Sequence, residues 1–162
     1  MEETQRTLSL PDVSGDIPSV LDLVSALSGL EFGMAPAWGK MSAVQMVRHC
    51  ARFADLYLGR ISVSWWVRLI SRVAGPPFLR RFLTQPMGFT QRNLSTLPVL
   101  RVQKGEELDF DEEMAKLRDC LMEVETLKGT KRHVMYGPMK AEDVRAVVRR
   151  HTAHHFHQFG LI

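Results

Sequence analysis

Four of the six histidines fall within seven residues near the end of the chain, in "RRHTAHHFHQFGLI". Imidazoles at this density can ligate a metal, carry protons or form a charged face. Thr152, Ala153 and Phe156 interleave them, which a purification tag would not show. On a helix each residue turns by about 100°. With His151 set at zero, Val144, Val147 and Val148 fall near about +20°, −40° and +60°, and Ala141 and Phe159 near about +80°. These apolar residues mark a buried face. His155 falls near about +40° and Gln158 near about −20°, inside that stripe. His154 lies at its edge, near about −60°, and His157 faces away, near about −120°.

Two imidazoles one turn apart on a core-facing stripe need partners, because a buried polar group costs free energy unless it is satisfied. One divalent ion would satisfy both, since side chains at i and i+4 point the same way. Backbone groups or water would also serve, and HxxxH alone does not decide between these. Only two other histidines exist. His49 borders the apolar arc of a second helix, with Gln45 and Phe53 one turn to either side. Taken alone it reads as a satisfied core histidine. His133 sits in a loop beside Lys131 and Arg132 and reads as structural or solvated.

The elements that must position these residues are helical almost throughout. "DIPSVLDLVSALSGL" places Ile17, Val20, Leu21, Val24, Leu27 and Leu30 on one face, with Asp16 as N-cap and Pro18 in the first turn. A second helix starts at the N-cap Ser42 and runs to about Leu58. Its apolar arc is Val44, Val47, Cys50, Ala51, Ala54, Tyr57 and Leu58. "SWWVRLISRV" is amphipathic. Gly75, Pro76 and Pro77 are expected to break it, and "FLRRFL" to resume as a short extra helix. An irregular crossover follows, with an extended piece near Val99. "FDEEMAKLRDCLMEVETLKG" forms a helix on Phe110, Met114, Leu117, Leu121 and Val124, capped by Asp109 or Asp111 and ended by Gly129. "HVMYGPM" reads as a loop. The last helix runs from about Lys140 to Phe159 and stops at Gly160. These elements predict an all-α, four-helix bundle with a long crossover, in one domain spanning 1–162.

Composition agrees with one globular domain. The chain has 162 residues, 45% hydrophobic and 24% charged, with a formal charge of +3. The basic clusters "LRRF", "KGTKRH" and "VRRH" read as solvated surface rather than a nucleic-acid stripe. No run of about 18 apolar residues suggests a membrane span, and the polar start has no secretory pattern. Two cysteines, Cys50 and Cys120, without CxxC spacing suit a reducing compartment, so a cytoplasmic location is expected.

"WGKMSAVQMVRHC", from Trp38 to Cys50, and "HVMYGPMKAEDVRAVVRRHTAHHFHQFG", from His133 to Gly160, resemble the DinB/YfiT-like superfamily. They look most like a branch of it whose function is unassigned, and "PMGFTQRNLSTLPVL" is similar to that branch's crossover. The resemblance spans nearly the whole chain. Its most specific element is one His on the second helix combined with HxxxHxxQ on the last. It implies an up-down-down-up four-helix bundle and a divalent metal, zinc or nickel, held by three histidines. Carried over one at a time, the ligands fall on His49, His151 and His155, with Gln158 matching the Gln that follows. Some relatives are transferases or isomerases that use low-molecular-weight thiols. Two positions depart from the pattern: His133-Val134 stands where the branch has His-Pro, and Lys140 where it has a Thr-like N-cap.

Three neutral imidazoles would leave the charge of such an ion uncompensated and at least one coordination position open. That favours a reactive or substrate-binding site over a structural one. Cys50 adjoins His49 but points about 100° away and offers no fourth ligand. Gln45 and Gln158 either orient a substrate or a bound water, or are ordinary helix-edge glutamines. His154 is either a proton acceptor near the site or exposed. Trp65, Trp66 and the proline-rich crossover either cover the pocket or serve as core or a dimer contact. The leading expectation is a metal-dependent transferase or hydrolase acting on a small molecule in an apolar cleft at the His49 end. The alternative is a non-catalytic metal or small-molecule binding protein. Neither nucleic acid nor membrane is expected as a partner, and the apolar middle helix leaves room for a homodimer. Association of "SWWVRLISR" with a membrane surface or nucleic acid stands behind these as a third reading.

Overall fold

The computed structural model describes residues 17–85, 97–103 and 105–162. The described chain is mostly helical: α1 Val20–Leu27, α2 Ala43–Tyr57, α3 Trp65–Thr84, α4 Phe110–Thr126 and α5 Ala141–Gln158. A two-stranded antiparallel hairpin, β1 Thr130–His133 and β2 Gly137–Lys140, joins α4 to α5. The all-α expectation is therefore corrected at "HVMYGPM". Gly, Pro and Lys are poor strand formers, so the strands carried no pattern of their own. Pairing of His133 with Gly137 closes the hairpin, and the positive φ of Gly137 (76°) lets the chain return.

Helices α2, α4 and α5 pack on one another and α1 packs on α4 and α5, around one apolar core that includes Leu23, Met46, Val47, Leu117, Leu121, Val144, Val147 and Phe156. Helix α5 touches each of the other four helices and β2. This central place buries more of α5 than its apolar stripe indicates. Arg150, Thr152, Ala153 and Phe156 are buried on the flank away from His151. "VRRH" is consequently not a solvated cluster. Arg149 pairs with Glu125, and Arg150 is only 1% exposed. Arg150 donates to the carbonyl of Gln85 at the end of α3 and lies over the Phe82 ring, tying α3 to α5.

Helix ends follow local chemistry. Ser42 caps α2 in a reciprocal box: its hydroxyl accepts from the Gln45 N–H, and Gln45 Oε1 accepts from the Ser42 N–H at 3.0 Å. Asp109 caps α4 by accepting from the Glu112 N–H at 2.9 Å. Lys140 precedes α5 without any side-chain cap. The cap of α1 is Ser19, boxed with Asp22, so Pro18 lies before the helix. Asp16 lies outside the described residues. Within α1, Leu23 is fully buried while Leu21 is 68% exposed, so the buried face is centred on Leu23 and Leu27 and not on the expected stripe that included Leu21.

Helix α3 is continuous through Pro76 and Pro77, against the expected break. The carbonyls that lose a donor there belong to Arg72 and Val73, whose exposure leaves them to water. Gly75 has a packing role: a Cβ at this position would lie 2.2 Å from Tyr136 Cε1. The glycine lets α3 meet the hairpin loop. Beyond α3, residues 86–96 of the crossover lie outside the described residues. The extended piece expected at Val99 is instead a single 3-10 turn, Pro98–Leu100.

Candidate metal centre

His49 projects from the middle of α2, and His151 and His155 from the last two turns of α5. The two helices pack directly, and their imidazoles converge. Ring centroids are 5.0 Å apart for His49 and His151, 4.8 Å for His49 and His155, and 4.7 Å for His151 and His155. One ligating nitrogen from each can be chosen so that all lie within 4.8 Å of one another. The Nε2 atoms of His49 and His151 are 3.1 Å apart. Two nitrogens bound to one zinc at about 2.0–2.1 Å stand about 2.9 Å apart at a right angle and about 3.3 Å apart at the tetrahedral angle. The observed spacing lies between these values, so this pair fits a divalent ion; it is also the spacing of an N–H···N hydrogen bond between the two rings.

The surrounding groups select the right face of two rings. His49 Nδ1 lies 3.1 Å from the Leu100 carbonyl, so Nδ1 carries the proton and Nε2 keeps its lone pair. Gln158 does the same for His155. Its Nε2 donates to the Trp38 carbonyl at 2.6 Å, which turns its Oε1 to accept from His155 Nδ1 at 2.8 Å. His151 is positioned by stacking instead: the Phe53 ring lies parallel to it, with centroids 3.6 Å apart. Its Nδ1 is buried without a hydrogen-bond partner among the described residues.

All three imidazoles are held neutral. Burial pushes the His49 and His151 pKa values down, that of His151 well below its usual range, and takes His155 to about 3. Neutral imidazole is the metal-binding form.

The triad forms part of the wall of a cavity of about 730 Å³ between α2, α3 and α5. Phe53, Phe78, Leu79, Phe82, Leu97 and Leu100 make much of the wall apolar, and Tyr57 and Tyr136 close one side. No Asp, Glu or Cys lines it among the described residues. Cys50 is fully buried, with its thiol against Met46 Sδ and its pKa raised by burial, so it contributes no ligand.

The other candidate residues are distributed around this centre. His154 lines the cavity, with its ring 5.1 Å from that of His155 and 6.1 Å from Trp38. Gln45 reaches the wall, but its side-chain oxygen is engaged in capping α2. His157 is exposed, as the turn arithmetic requires. His133 is buried rather than solvated, stacked between Tyr57 and Tyr136. Trp65 and Trp66 do not line the cavity and are not core; they are 72% and 52% exposed. The role expected of them falls instead to the second half of α3, through Ala74, Gly75, Phe78, Leu79 and Phe82. Large apolar residues lie on both sides of α3, so no single stripe in the sequence marked this inner face. Phe53, one turn after His49, was the remaining signal for an aromatic wall.

No protein-family model matches the sequence, and comparisons with curated proteins and with solved structures returned no significant match.

Proposed function

We propose that the protein is a divalent-metal-dependent enzyme of the DinB/YfiT-like type, acting on a small molecule with an apolar body. Its up-down-down-up bundle would hold zinc or nickel through His49, His151 and His155. The observation that carries this reading is the convergence of three neutral histidines on an apolar cavity that no Asp, Glu or Cys lines among the described residues. Bound there, the ion would act as a Lewis acid and stabilise an anionic donor such as a thiolate.

The chain's own residues perform the remaining work. The Leu100 carbonyl and Gln158 hold two ligands in the required tautomer. The aromatic and aliphatic walls exclude water and bind the apolar part of the substrate. His154, whose ring lies 5.1 Å from that of His155, would accept a proton at the cavity edge. No Asp or Glu lines the cavity among the described residues, so a general base there would be a histidine such as His154. The reaction class this reading favours is transfer to an external nucleophile, such as a low-molecular-weight thiol. The second reading, a protein that binds a metal or small molecule without turnover, shares the same three histidines.

Metal analysis of tag-free protein never exposed to a nickel column tests the metal site. One ion per chain, absent in His49→Ala, is expected; no metal and no uptake on titration would reject the reading. With the metal loaded, a screen of thiols against electrophiles separates enzyme from binder.

A further inference from the structure

Helix α3 has two dissimilar faces. Its inner face packs on the cavity and on Tyr136. Its outer face carries Trp65, Trp66, Leu69, Ile70 and Val73, which are 72%, 52%, 60%, 57% and 80% exposed. Placed at about 100° per residue, these five side chains form one stripe about 140° wide. A run of large apolar residues like this is unusual on a protein surface and marks a contact with something apolar.

Charge identifies the occupant. Residues 56–105 contain eight Arg and Lys and no Asp or Glu, although the whole chain carries only +3. The remainder of the protein is thus net acidic. Four of the eight, Arg68, Arg72, Arg80 and Arg81, lie on α3 and are exposed. A second copy docking α3 against α3 would oppose arginine with arginine. An anionic bilayer satisfies both features: Trp and aliphatic side chains enter the headgroup boundary, and arginines reach the phosphates. No helix among the described residues is long and apolar enough to cross a membrane, so the contact is one in which α3 lies on the surface.

We propose that α3 is an interfacial helix that docks the protein on an anionic lipid surface through Trp65, Trp66, Leu69, Ile70 and Val73, flanked by Arg68 and Arg72. Ile70 and Phe78 are each more than half exposed and also line the cavity, so the docking face runs into the cavity rim. Where the metal-site reading holds, this gives an apolar small molecule a route from the lipid to the histidines. The docking itself does not depend on that reading.

Co-sedimentation of the full chain with vesicles tests the proposal, with neither metal nor turnover in the readout. The protein is expected to sediment with phosphatidylcholine vesicles containing phosphatidylglycerol, and much less with phosphatidylcholine alone or at high salt. Arg68→Gln/Arg72→Gln should lower partitioning about thirty-fold. Leu69→Glu/Val73→Glu should abolish it, and circular dichroism should show an unchanged fold because both side chains are exposed. Absence of vesicle binding would overturn the proposal, as would binding that the Glu variant leaves intact. So would a dimer in sedimentation velocity that the Glu variant dissociates without any lipid binding, since a second copy would then cover the face.

Discussion

His49 and His151 are 102 residues apart in sequence, and their Nε2 atoms are 3.1 Å apart. Two neutral nitrogens so placed, with His155 beside them, make an ion-sized gap. Replacing any of the three by Ala is expected to weaken zinc or nickel binding by at least about a hundred-fold, as measured by competition with a chromogenic chelator. His154→Ala should retain the metal. If His154 accepts the proton, that variant loses turnover without losing the ion.

Gln158 couples the Trp38 carbonyl to His155. Gln158→Leu removes the acceptor that fixes the His155 tautomer, and metal affinity should fall roughly 10–100-fold. Gln158→Glu keeps an acceptor for His155 but loses the N–H given to the Trp38 carbonyl. A loss as large as in Gln158→Leu would show that the bond to Trp38 is what aims the acceptor, and a smaller loss that the acceptor alone holds the ring.

Gly75 is where α3 meets the hairpin. Alanine is ordinarily the better helix former by about 1 kcal/mol, but its Cβ would lie 2.2 Å from Tyr136 Cε1. Gly75→Ala is therefore expected to destabilise the protein by about 1–3 kcal/mol in urea unfolding. In the Tyr136→Ala background the same substitution should be neutral or stabilising. A cost that persists there would place the strain elsewhere.

Stability should fall in mild acid. Burial between Tyr57 and Tyr136 lowers the His133 pKa from about 6.5 to about 4. A histidine kept neutral in the fold contributes stability that is complete above its unfolded pKa. That stability is lost as the pH falls from about 6.5 toward about 4. The His133 contribution to the loss at pH 5 is roughly 2 kcal/mol. His133→Phe keeps the stacking and should flatten the dependence of melting temperature on pH between 7 and 5. The metal-free triad adds a loss in the same direction, which the variant leaves in place.

Much of the site was legible in the sequence because helical periodicity is a local property. The 3.6-residue repeat separated His151 and His155 from His157, and with the cap residues it set α2 from Ser42 and α4 from Asp109 or Asp111, of which Asp109 is the cap. Where local signals conflicted, the reading failed. Pro76 and Pro77 suggested a break, but the carbonyls they leave lie at exposed residues and the helix continues. The sequence pattern puts the cap of the first helix at Asp16; the cap is Ser19, which Asp22 completes in a box. The hairpin at Thr130–Lys140 is held by its turn and by packing against α5, neither of which strand propensity reports.

By itself the sequence determined a helical protein with His49 on one helix and an HxxxHxxQ pattern on another, each histidine facing a core. It did so because the face a residue occupies depends only on its neighbours along the chain. The tertiary structure decided that the three rings meet and which nitrogen faces the gap. It also placed an apolar cavity beside them and left the outer side of α3 exposed. These features depend on how helices far apart in the chain pack, and on Leu100 and Trp38 carbonyls that no side-chain pattern encodes.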